Sequence, residues 1–281
     1  MKVSIAFDRL RWEEKALCDA GNSLGLDSSL ADVKGMVFEV PKNGGLGGHV
    51  VNRCISHYRS LALSRALEAA GAHVINPSAT TEVCGNKLLT TIALAKAGVP
   101  TPKTVLALSA EGIEAAAEKL GFPLVMKPFS GSWGRMVTVV RDMETLRSLV
   151  EYKEEMGNPM EHMFYLQEYV KRPPRDIRAV VAGGEIVACV HRFAPKGEWR
   201  TNVARGGVSK AFRPDRELKE TVLKAADAVG GGVLGVDAME SPESYLVHEV
   251  NNTVEFRGAQ SAVSFSIPEK VMKYVAEEAK R

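Results

Sequence analysis

Short apolar segments alternate with helical segments over the first third of the chain, and no other feature constrains the fold as strongly. Buried strands are predicted at Val3–Phe7, Val50–Ser56 and His73–Asn76. Helices are predicted between them at Trp12–Leu24 and Leu61–Ala70. Strands that alternate with helices favour a parallel sheet covered by helices. An α/β domain is therefore expected in this part of the chain.

The rest of the chain divides into two further predicted units. The strand Leu124–Lys127, the glycine-rich segment SGSWGR and a strand at Met136–Val140 predict a flexible hairpin. From Phe164 onward, strands follow one another through a hairpin turn at Gly183–Gly184 to two apolar strands and a last helix. The predicted domains are an N-terminal α/β domain at 1–84, a central lid domain at 85–163 and a C-terminal α+β domain at 164–281.

Composition excludes several classes of protein. The 281 residues carry a formal net charge of +2, which is too small to predict binding to nucleic acid or to a membrane surface. No apolar run reaches the roughly 18–20 residues that span a bilayer, and no signal-peptide apolar region precedes the first strand. The four cysteines lie far apart, without metal-binding or redox spacing. A cytoplasmic protein is expected.

Two apolar strands near the C-terminus, VLGVDAME and YLVHEVNN, carry the residues that point most clearly to chemistry. Asp237 lies on the first strand, and Glu249 and Asn251 lie on the second. Residues two apart leave the same face of a strand. Carboxylate and amide oxygens are the ligands that Mg²⁺ prefers, and Mg²⁺ bridges nucleotide phosphates. A polar strand face exposed to solvent is the alternative.

A lysine at the end of a buried strand indicates a phosphate site. Lys127 ends the segment LVMK, directly before the glycine-rich loop. The lysine can neutralise phosphates, and the loop offers backbone N–H groups to the same phosphates. The GxxxxGK[ST] pattern of a P-loop is absent. A plain hairpin with a surface lysine is the alternative.

Two more segments supply polar groups that suit a nucleotide or an anionic intermediate. In FYLQEYVKRPPRDIR, the strand end at Glu168 can meet an adenine through its backbone. Asp176 and Arg178 follow two apart, and Arg178 could hold a phosphate or a carboxylate; a structural ion pair is the alternative. Arg192 and the segment EWRTNVARGG supply further donors for an anion, or else form a solvated basic loop.

In this order, the segments resemble the ATP-grasp superfamily, and more closely its LysX/ArgX branch. The resemblance covers nearly the whole chain. It is carried by the segments FDRLRWEEK, NRCISHYRSLALSRAL, VINPSATTEVCGNK, LAKAGVPTPKT, KPFSGSWGR, FYLQEYVKRPPRDIR, TNVARGG and HEVNNTVEF. SGSWGR and TNVARGG are the segments most specific to this branch. The resemblance implies an ATP-grasp fold of three domains, with ATP bound between the central and C-terminal domains.

The resemblance also implies roles for particular residues. Nucleotide binding, with the glycine-rich loop as a lid, would fall to Lys87, Lys127, Ser132, Trp133, Gly134, Arg135, Glu168, Val170 and Asp176. One or two Mg²⁺ ions would be held by Asp237, Glu249 and Asn251. The acyl phosphate and the incoming amino acid would be positioned by Arg178, Arg192, Asn202 and Arg205.

Enzymes of this branch join an amino acid to the C-terminal glutamate of a small acidic carrier protein, LysW, through an acyl phosphate. LysX-like enzymes take α-aminoadipate and ArgX-like enzymes take glutamate. The segment implied to carry the difference includes Asn252, Thr253, Arg257 and Gly258. Asn252 and Thr253 resemble LysX, whereas Gly258 resembles ArgX and Arg257 departs from the usual pattern. Glutamate is favoured slightly, with α-aminoadipate or both as alternatives.

Three other functions are kept as alternatives. A RimK-like ligase that adds glutamate to a protein C-terminus would share the acidic strands and the DIR segment. A non-catalytic ATP-binding module would be expected to lack a metal ligand or a phosphate lysine, and this chain keeps the whole set. A structural interaction protein would show no response to nucleotide. Association into a dimer or tetramer is expected from the resemblance.

Overall fold

The computed structural model describes residues 1–42, 44–131, 133–155, 162–195, 197, 201 and 206–280. Within them, three sheets organise the chain. The strands are β1 (Lys2–Phe7), β2 (Asp27–Asp32), β3 (His49–Asn52), β4 (His73–Ile75), β5 (Thr104–Ala107), β6 (Leu124–Lys127), β7 (Thr138–Val140), β8 (Phe164–Glu168), β9 (Arg175–Ala182), β10 (Glu185–Phe193), β11 (Val208–Ala211), β12 (Val233–Glu240) and β13 (Tyr245–Asn251). The helices are α1 (Trp12–Ser23), α2 (His57–Ala69), α3 (Ser78–Cys84), α4 (Lys87–Lys96), α5 (Ile113–Leu120), α6 (Met143–Glu154), α7 (Arg216–Ala228), α8 (Arg257–Gln260) and α9 (Ile267–Glu278).

The N-terminal sheet is parallel, as the alternation of strands and helices predicts. Its order is β2-β1-β3-β4. The edge strand β2 has the polar sequence DSSLAD, with only Ser28 and Ala31 buried, and the apolar pattern did not predict it. Strand β3 ends at Asn52, earlier than expected, because the amide of Ile55 leaves the sheet and donates to the carboxylate of Asp8 at 2.8 Å.

The central sheet is antiparallel in the order β5-β8-β6-β7. Strands β6 and β7 pair across the glycine-rich loop, which confirms the predicted hairpin. Strand β8 lies between β5 and β6, although the sequence analysis assigned Phe164–Glu168 to the C-terminal domain. The central sheet therefore extends past the boundary predicted at residue 163. Fully buried side chains such as Leu146 and Leu166 fix this sheet against α5 and α6.

The C-terminal sheet is antiparallel in the order β11-β10-β9-β12-β13. The turn between β9 and β10 lies at Gly183–Gly184, as predicted, and both glycines have positive φ. Helix α7 packs on one face of the sheet. On the other face, α9 packs together with α1, so residues such as Ile5 and Met272 belong to one core. The N-terminal and C-terminal sheets are thus joined through a shared apolar layer.

No helix in the described part of the chain combines the length and the apolar character needed to cross a membrane.

Candidate active site

Two neighbouring cavities lie between the sheets. The larger has a volume of about 640 Å³ and is lined by residues from all three parts of the chain. The smaller has a volume of about 320 Å³ and lies between the central and C-terminal sheets. The two cavities share four of their lining residues: Lys87, Gly131, Arg192 and Glu249. These four residues therefore mark the junction of the cavities.

The predicted metal ligands face one another across two adjacent strands. Asp237 on β12 is opposite Glu249 on β13, and Asn251 is opposite Gly235. Asp237 is completely buried, and its two oxygens accept from the guanidinium of Arg178, with Nη2 to Oδ2 at 2.7 Å. Two carboxylates and an amide oxygen on one strand pair form a donor set that fits a hard cation such as Mg²⁺.

Positively charged side chains neutralise both acidic residues, Asp237 and Glu249. Burial alone would raise the pKa of Asp237, but Arg178 and Arg192 hold that pKa well below its ordinary value. Burial would also raise the pKa of Glu249, but Lys87, whose Nζ lies 3.2 Å from Oε1, holds it below its ordinary value. Both side chains are therefore ionised at neutral pH, the state in which carboxylates bind a metal ion.

Asp176 and Arg192 form a buried pair beside this centre. Arg192 donates from Nε and Nη2 to the two oxygens of Asp176 at 2.8 and 2.7 Å. Its Nη2 also lies 3.1 Å from Oδ2 of Asp237. Thr201 donates its hydroxyl to the same carboxylate of Asp176. Asp176 was expected to bind nucleotide. It does line the smaller cavity, but its oxygens already orient Arg192.

The two predicted phosphate lysines come from different elements and meet at the cavities. Lys87 is the first residue of α4, whose N-cap Asn86 accepts from the amide of Leu88 at 2.9 Å. Lys127 ends β6 and donates to Oε1 of Gln167 at 2.5 Å. Burial lowers the pKa of Lys127 to about 8. The side chain of Lys127 is only partly exposed and has a side-chain partner, which argues against the alternative of a plain surface lysine.

The end of β8 forms another wall of the smaller cavity. Glu168, Tyr169 and Val170 all line it. The carboxylate of Glu168 accepts from the backbone amide of Lys103 at 2.7 Å, and the backbone amide of Glu168 donates to the carbonyl of Lys103 at 2.9 Å.

His248, which also lines the smaller cavity, was expected to be a packed residue. Burial lowers its pKa to about 4, so the imidazole is neutral at pH 7.

The glycine-rich loop lies between the cavities. Gly134 and Arg135 line the smaller cavity, and Trp133 lines the larger. Nε1 of Trp133 is 3.2 Å from both oxygens of Glu255. Three residues implied for the site lie outside the described residues, namely Ser132, Asn202 and Arg205, and so does Arg200 of the basic segment EWRTNVARGG.

The segment predicted to choose the amino acid lies in the wall of the larger cavity. Asn252, Thr253, Arg257 and Gly258 all line it. The carbonyl of Asn252 accepts from Nδ2 of Asn76 at 2.7 Å, and the hydroxyl of Thr253 donates to the carbonyl of Cys54 at 3.4 Å. This segment is therefore attached to the N-terminal part of the chain.

Sequence reasoning missed a group of charged residues that the N-terminal part contributes. Glu14 is fully buried and accepts from Nη2 of Arg11 at 2.6 Å and from Nε of Arg53 at 3.2 Å. Glu13 accepts from the amides of Phe256 and Arg257 at 3.2 and 3.0 Å. The sequence held one signal for this group: Glu13 and Glu14 are consecutive acidic residues in the first turn of a helix that also has buried positions.

Two arginines differ from the charged residues at the centre. Arg9 and Arg257 are exposed and line the larger cavity. Neither side chain forms an ion pair or hydrogen bond with the residues that the structure describes. Arg9 follows β1, at the carboxyl end of a parallel sheet, which is the edge where such sheets bind ligands.

Comparisons with known proteins agree with this architecture. The sequence profile of the RimK-like ATP-grasp domain matches residues 84–275, and that of the LysX preATP-grasp domain matches residues 3–83. In structure, the chain resembles a RimK domain ATP-grasp protein from Sphaerobacter thermophilus, with a TM-score of 0.84, 22% identity and coverage of 98% and 99% of the two chains. It also resembles a D-alanine–D-alanine ligase from Bacillus anthracis, with a TM-score of 0.76, 17% identity and coverage of 100% and 98%.

Curated relatives are similar over their whole length. The glutamate–LysW ligase ArgX of Sulfolobus acidocaldarius is 38% identical over 98% of both chains. The ArgX of Sulfurisphaera tokodaii is 39% identical over 99% of both. The α-aminoadipate–LysW ligase LysX of the latter organism is 35% identical over 100% of both.

The fold and the site define an ATP-grasp ligase, a class of enzyme that uses ATP. The chain belongs to the RimK-like ATP-grasp family, in the branch whose N-terminal part is the LysX preATP-grasp domain.

Proposed function

We propose that this enzyme joins the α-amino group of glutamate to the γ-carboxylate of the C-terminal glutamate of LysW, with cleavage of ATP to ADP. One observation carries the proposal: a nucleotide-sized cavity and a larger cavity meet at Lys87, Arg192 and Glu249. A phosphoryl group bound at this junction can be reached from both sides. Full-length similarity to ArgX and LysX supports LysW as the carrier.

The first step is attack of a carboxylate oxygen of the carrier on the γ-phosphorus of ATP, with release of ADP. Lys87 and Lys127 would neutralise the phosphates, and the strand end at Glu168 and Val170 would contact the adenine; all four residues line the smaller cavity. Asp237, Glu249 and Asn251 would hold one or two Mg²⁺ ions, which supply charge neutralisation to the phosphates when bound. The protein contributes positioning and charge stabilisation.

In the second step, the amino nitrogen attacks the acyl carbon and the carbon–oxygen bond to phosphate breaks. Negative charge develops on the acyl oxygen at this point, and donors that are fixed beforehand stabilise it. Arg192 lies at the junction of the cavities and Arg178 lines the larger one. We assign both to this charge, together with Asn202 and Arg205.

The exposed arginines at the cavity rim suit acidic substrates. A dicarboxylic amino acid and the carboxyl end of an acidic carrier bring several carboxylates to the larger cavity. Arg9 and Arg257 offer guanidinium groups that no described residue occupies, and guanidinium pairs with carboxylate in a bidentate way. We place the docking surface of the carrier around Arg257, with Arg200 and Arg205.

The test measures ADP release and carrier mass with purified LysW, MgATP and either glutamate or α-aminoadipate. A gain in carrier mass with glutamate alone supports the proposal. A gain with α-aminoadipate alone would move the enzyme to that substrate, and a gain with both would indicate dual use. If neither amino acid is joined to LysW, a RimK-like ligase with another protein acceptor replaces the proposal. Light scattering tests the expected dimer or tetramer.

A further inference from the structure

A chain of contacts joins the glycine-rich loop to both other parts of the molecule. The indole Nε1 of Trp133 is 3.2 Å from each carboxylate oxygen of Glu255. Glu255 also accepts from Nη1 of Arg11 at 3.0 Å. The guanidinium of Arg135 lies over the indole ring, 4.8 Å from the ring centroid. We call Trp133, Glu255 and Arg11 the latch.

The N-terminal end of the latch is held firmly. Arg11 donates to both oxygens of the fully buried Glu14, and to the carbonyl of Arg53 at 3.2 Å. Burial alone would raise the pKa of Glu14, but Arg11 and Arg53 hold it below its ordinary value. Glu13 fixes the backbone that follows Glu255 through two amides. The acceptor offered to Trp133 is therefore positioned from two directions.

The loop end of the latch has a backbone conformation that needs support. Trp133 has a φ of 61°, in the left-handed region. A residue with a large side chain rarely adopts this region, and does so only where contacts fix it. Gly134 follows with a φ of 65°. The contact with Glu255 provides an interaction that offsets this cost.

The latch lies where water would have to be excluded. Trp133 and Glu255 line the larger cavity, and the adjoining Arg135 lines the smaller cavity, so the latch borders the two cavities that meet at the junction. An acyl phosphate at the junction has two possible fates. Attack by the amine gives the amide and phosphate. Attack by water at the acyl carbon gives the carboxylate and phosphate, with the ATP lost.

We propose that Trp133 and Glu255 are positioning residues that hold the loop closed over the acyl phosphate and so couple ATP cleavage to amide formation. This inference rests on the proposed function for its reaction, but the latch itself does not. Neither side chain needs to touch the reacting atoms. Their effect is on which nucleophile reaches the acyl carbon.

Two variants break the latch in different ways. Trp133→Phe keeps a ring but removes the donor, and Glu255→Gln keeps an acceptor for Trp133 but removes the ion pair with Arg11. Tyr152→Phe is the control. It removes a side-chain donor from the exposed face of α6 in the central part of the chain, outside the lining of both cavities. The double variant tests whether the two residues act as one unit.

The first measurement is the rate of trypsin cleavage after the exposed Arg135, without substrates. We expect both single variants to raise it about tenfold, as for loss of a hydrogen bond to a charged group, and the double variant to add little more. Tyr152→Phe should match the wild type. Equal rates in all proteins would overturn the latch, whatever the reaction is.

The second measurement is the ratio of ADP released to amide formed. The wild type and Tyr152→Phe should give a ratio of about one, because each acyl phosphate is captured. The latch variants should give a ratio several times higher. A ratio of one in the latch variants despite faster cleavage by trypsin would overturn the coupling role. Failure of the wild type to form any amide would overturn the proposed function and the coupling role together, and would leave the trypsin result to decide the latch.

Discussion

The charged residues at the centre of the site and those at its rim differ in how they are paired and exposed. At the centre, Asp176, Asp237, Arg178 and Arg192 are packed into one network of short ion pairs. At the rim, Arg9 and Arg257 are exposed and form no such contacts within the described structure. The difference separates two tasks. Groups that bind developing charge are fixed beforehand, whereas groups that capture acidic substrates stay available to them.

The arrangement also separates stability from recognition. A buried charge that loses its partner destabilises the fold strongly, whereas an exposed charge contributes little to it. Substitutions at the centre should therefore affect both folding and chemistry. Substitutions at the rim should affect substrate binding alone.

The largest expected effect is on chemistry at the centre. Glu249→Gln keeps the shape of the side chain but removes a charge opposite Asp237. We expect the rate of ADP formation to fall by about a thousandfold, the scale for loss of one preorganised electrostatic group. Steady-state kinetics with saturating MgATP check it. Glu243→Gln, an exposed residue next to the same pair of strands, is the control, and equal rates for the two variants would refute the metal assignment.

The next effect is on folding. Asp176→Asn leaves the buried Arg192 without part of its counter-charge. We expect the free energy of unfolding to fall by about 3–5 kcal/mol, as for other broken buried pairs. Urea titration followed by circular dichroism measures it. A loss below about 1 kcal/mol, the scale of an exposed pair, would contradict the separation of centre from rim.

At the rim, Arg9→Gln and Arg257→Gln should each raise the KM of an acidic substrate about tenfold, as expected for loss of one charged hydrogen bond. The KM for ATP should stay unchanged, because neither residue lines the smaller cavity. Kinetics with the amino acid and the carrier varied separately show which carboxylate each arginine meets. An unchanged KM for both substrates would show that Arg9 and Arg257 do not bind the substrate carboxylates.

A smaller effect concerns pH. The pKa of Lys127 is lowered to about 8, and bound phosphate would raise it by offering an opposite charge. Nucleotide binding then takes up a proton, so affinity for ADP should weaken several-fold as pH rises from about 7 to 9. The same linkage, without nucleotide, makes stability rise with pH above about 8, because the unfolded chain then holds more protons on this lysine. Calorimetric titration of the wild type against Lys127→Arg checks the affinity, and a parallel decline in both proteins would exclude Lys127 as the cause.

The smallest expected effect is the loss of an exposed ion pair, which sets a reference for the losses expected at the site. Arg147 and Glu114 form an exposed ion pair with an N–O distance of 2.6 Å. We expect Arg147→Gln to lower the free energy of unfolding by less than about 1 kcal/mol and to leave all kinetic constants unchanged. A larger loss in the same urea titration would mean that exposure is a poor guide to the value of an ion pair in this protein.

The sequence identified as candidates those site residues that are close along the chain. Glu249 and Asn251 are two apart on one strand, and Lys127 ends an apolar run, so local patterns were sufficient. The parallel N-terminal sheet followed from the alternation of strands with helices, and the ATP-grasp fold followed from the resemblance of the motifs. Strand β2 was missed because an edge strand with polar side chains lacks an apolar pattern.

Contacts between distant residues could not be read from the sequence. Arg11 meets Glu255 across 244 positions, and no local periodicity links them. The placement of β8 in the central sheet was missed for the same reason, because the sequence of a strand does not specify which strands it pairs with. These long-range contacts bring the N-terminal charges to the cavity, so the part of the site that sequence reasoning missed is the part that depends on tertiary packing.

The most direct test of the central claim follows one oxygen atom. LysW would be prepared with ¹⁸O in the γ-carboxylate of its terminal glutamate and incubated with the enzyme, MgATP and glutamate. If the carrier carboxylate attacks ATP and the amine then displaces phosphate, each inorganic phosphate carries one oxygen from the carrier. Mass spectrometry of the phosphate should show one ¹⁸O per amide formed. Phosphate without ¹⁸O alongside normal amide formation would contradict the acyl phosphate and the account built on it.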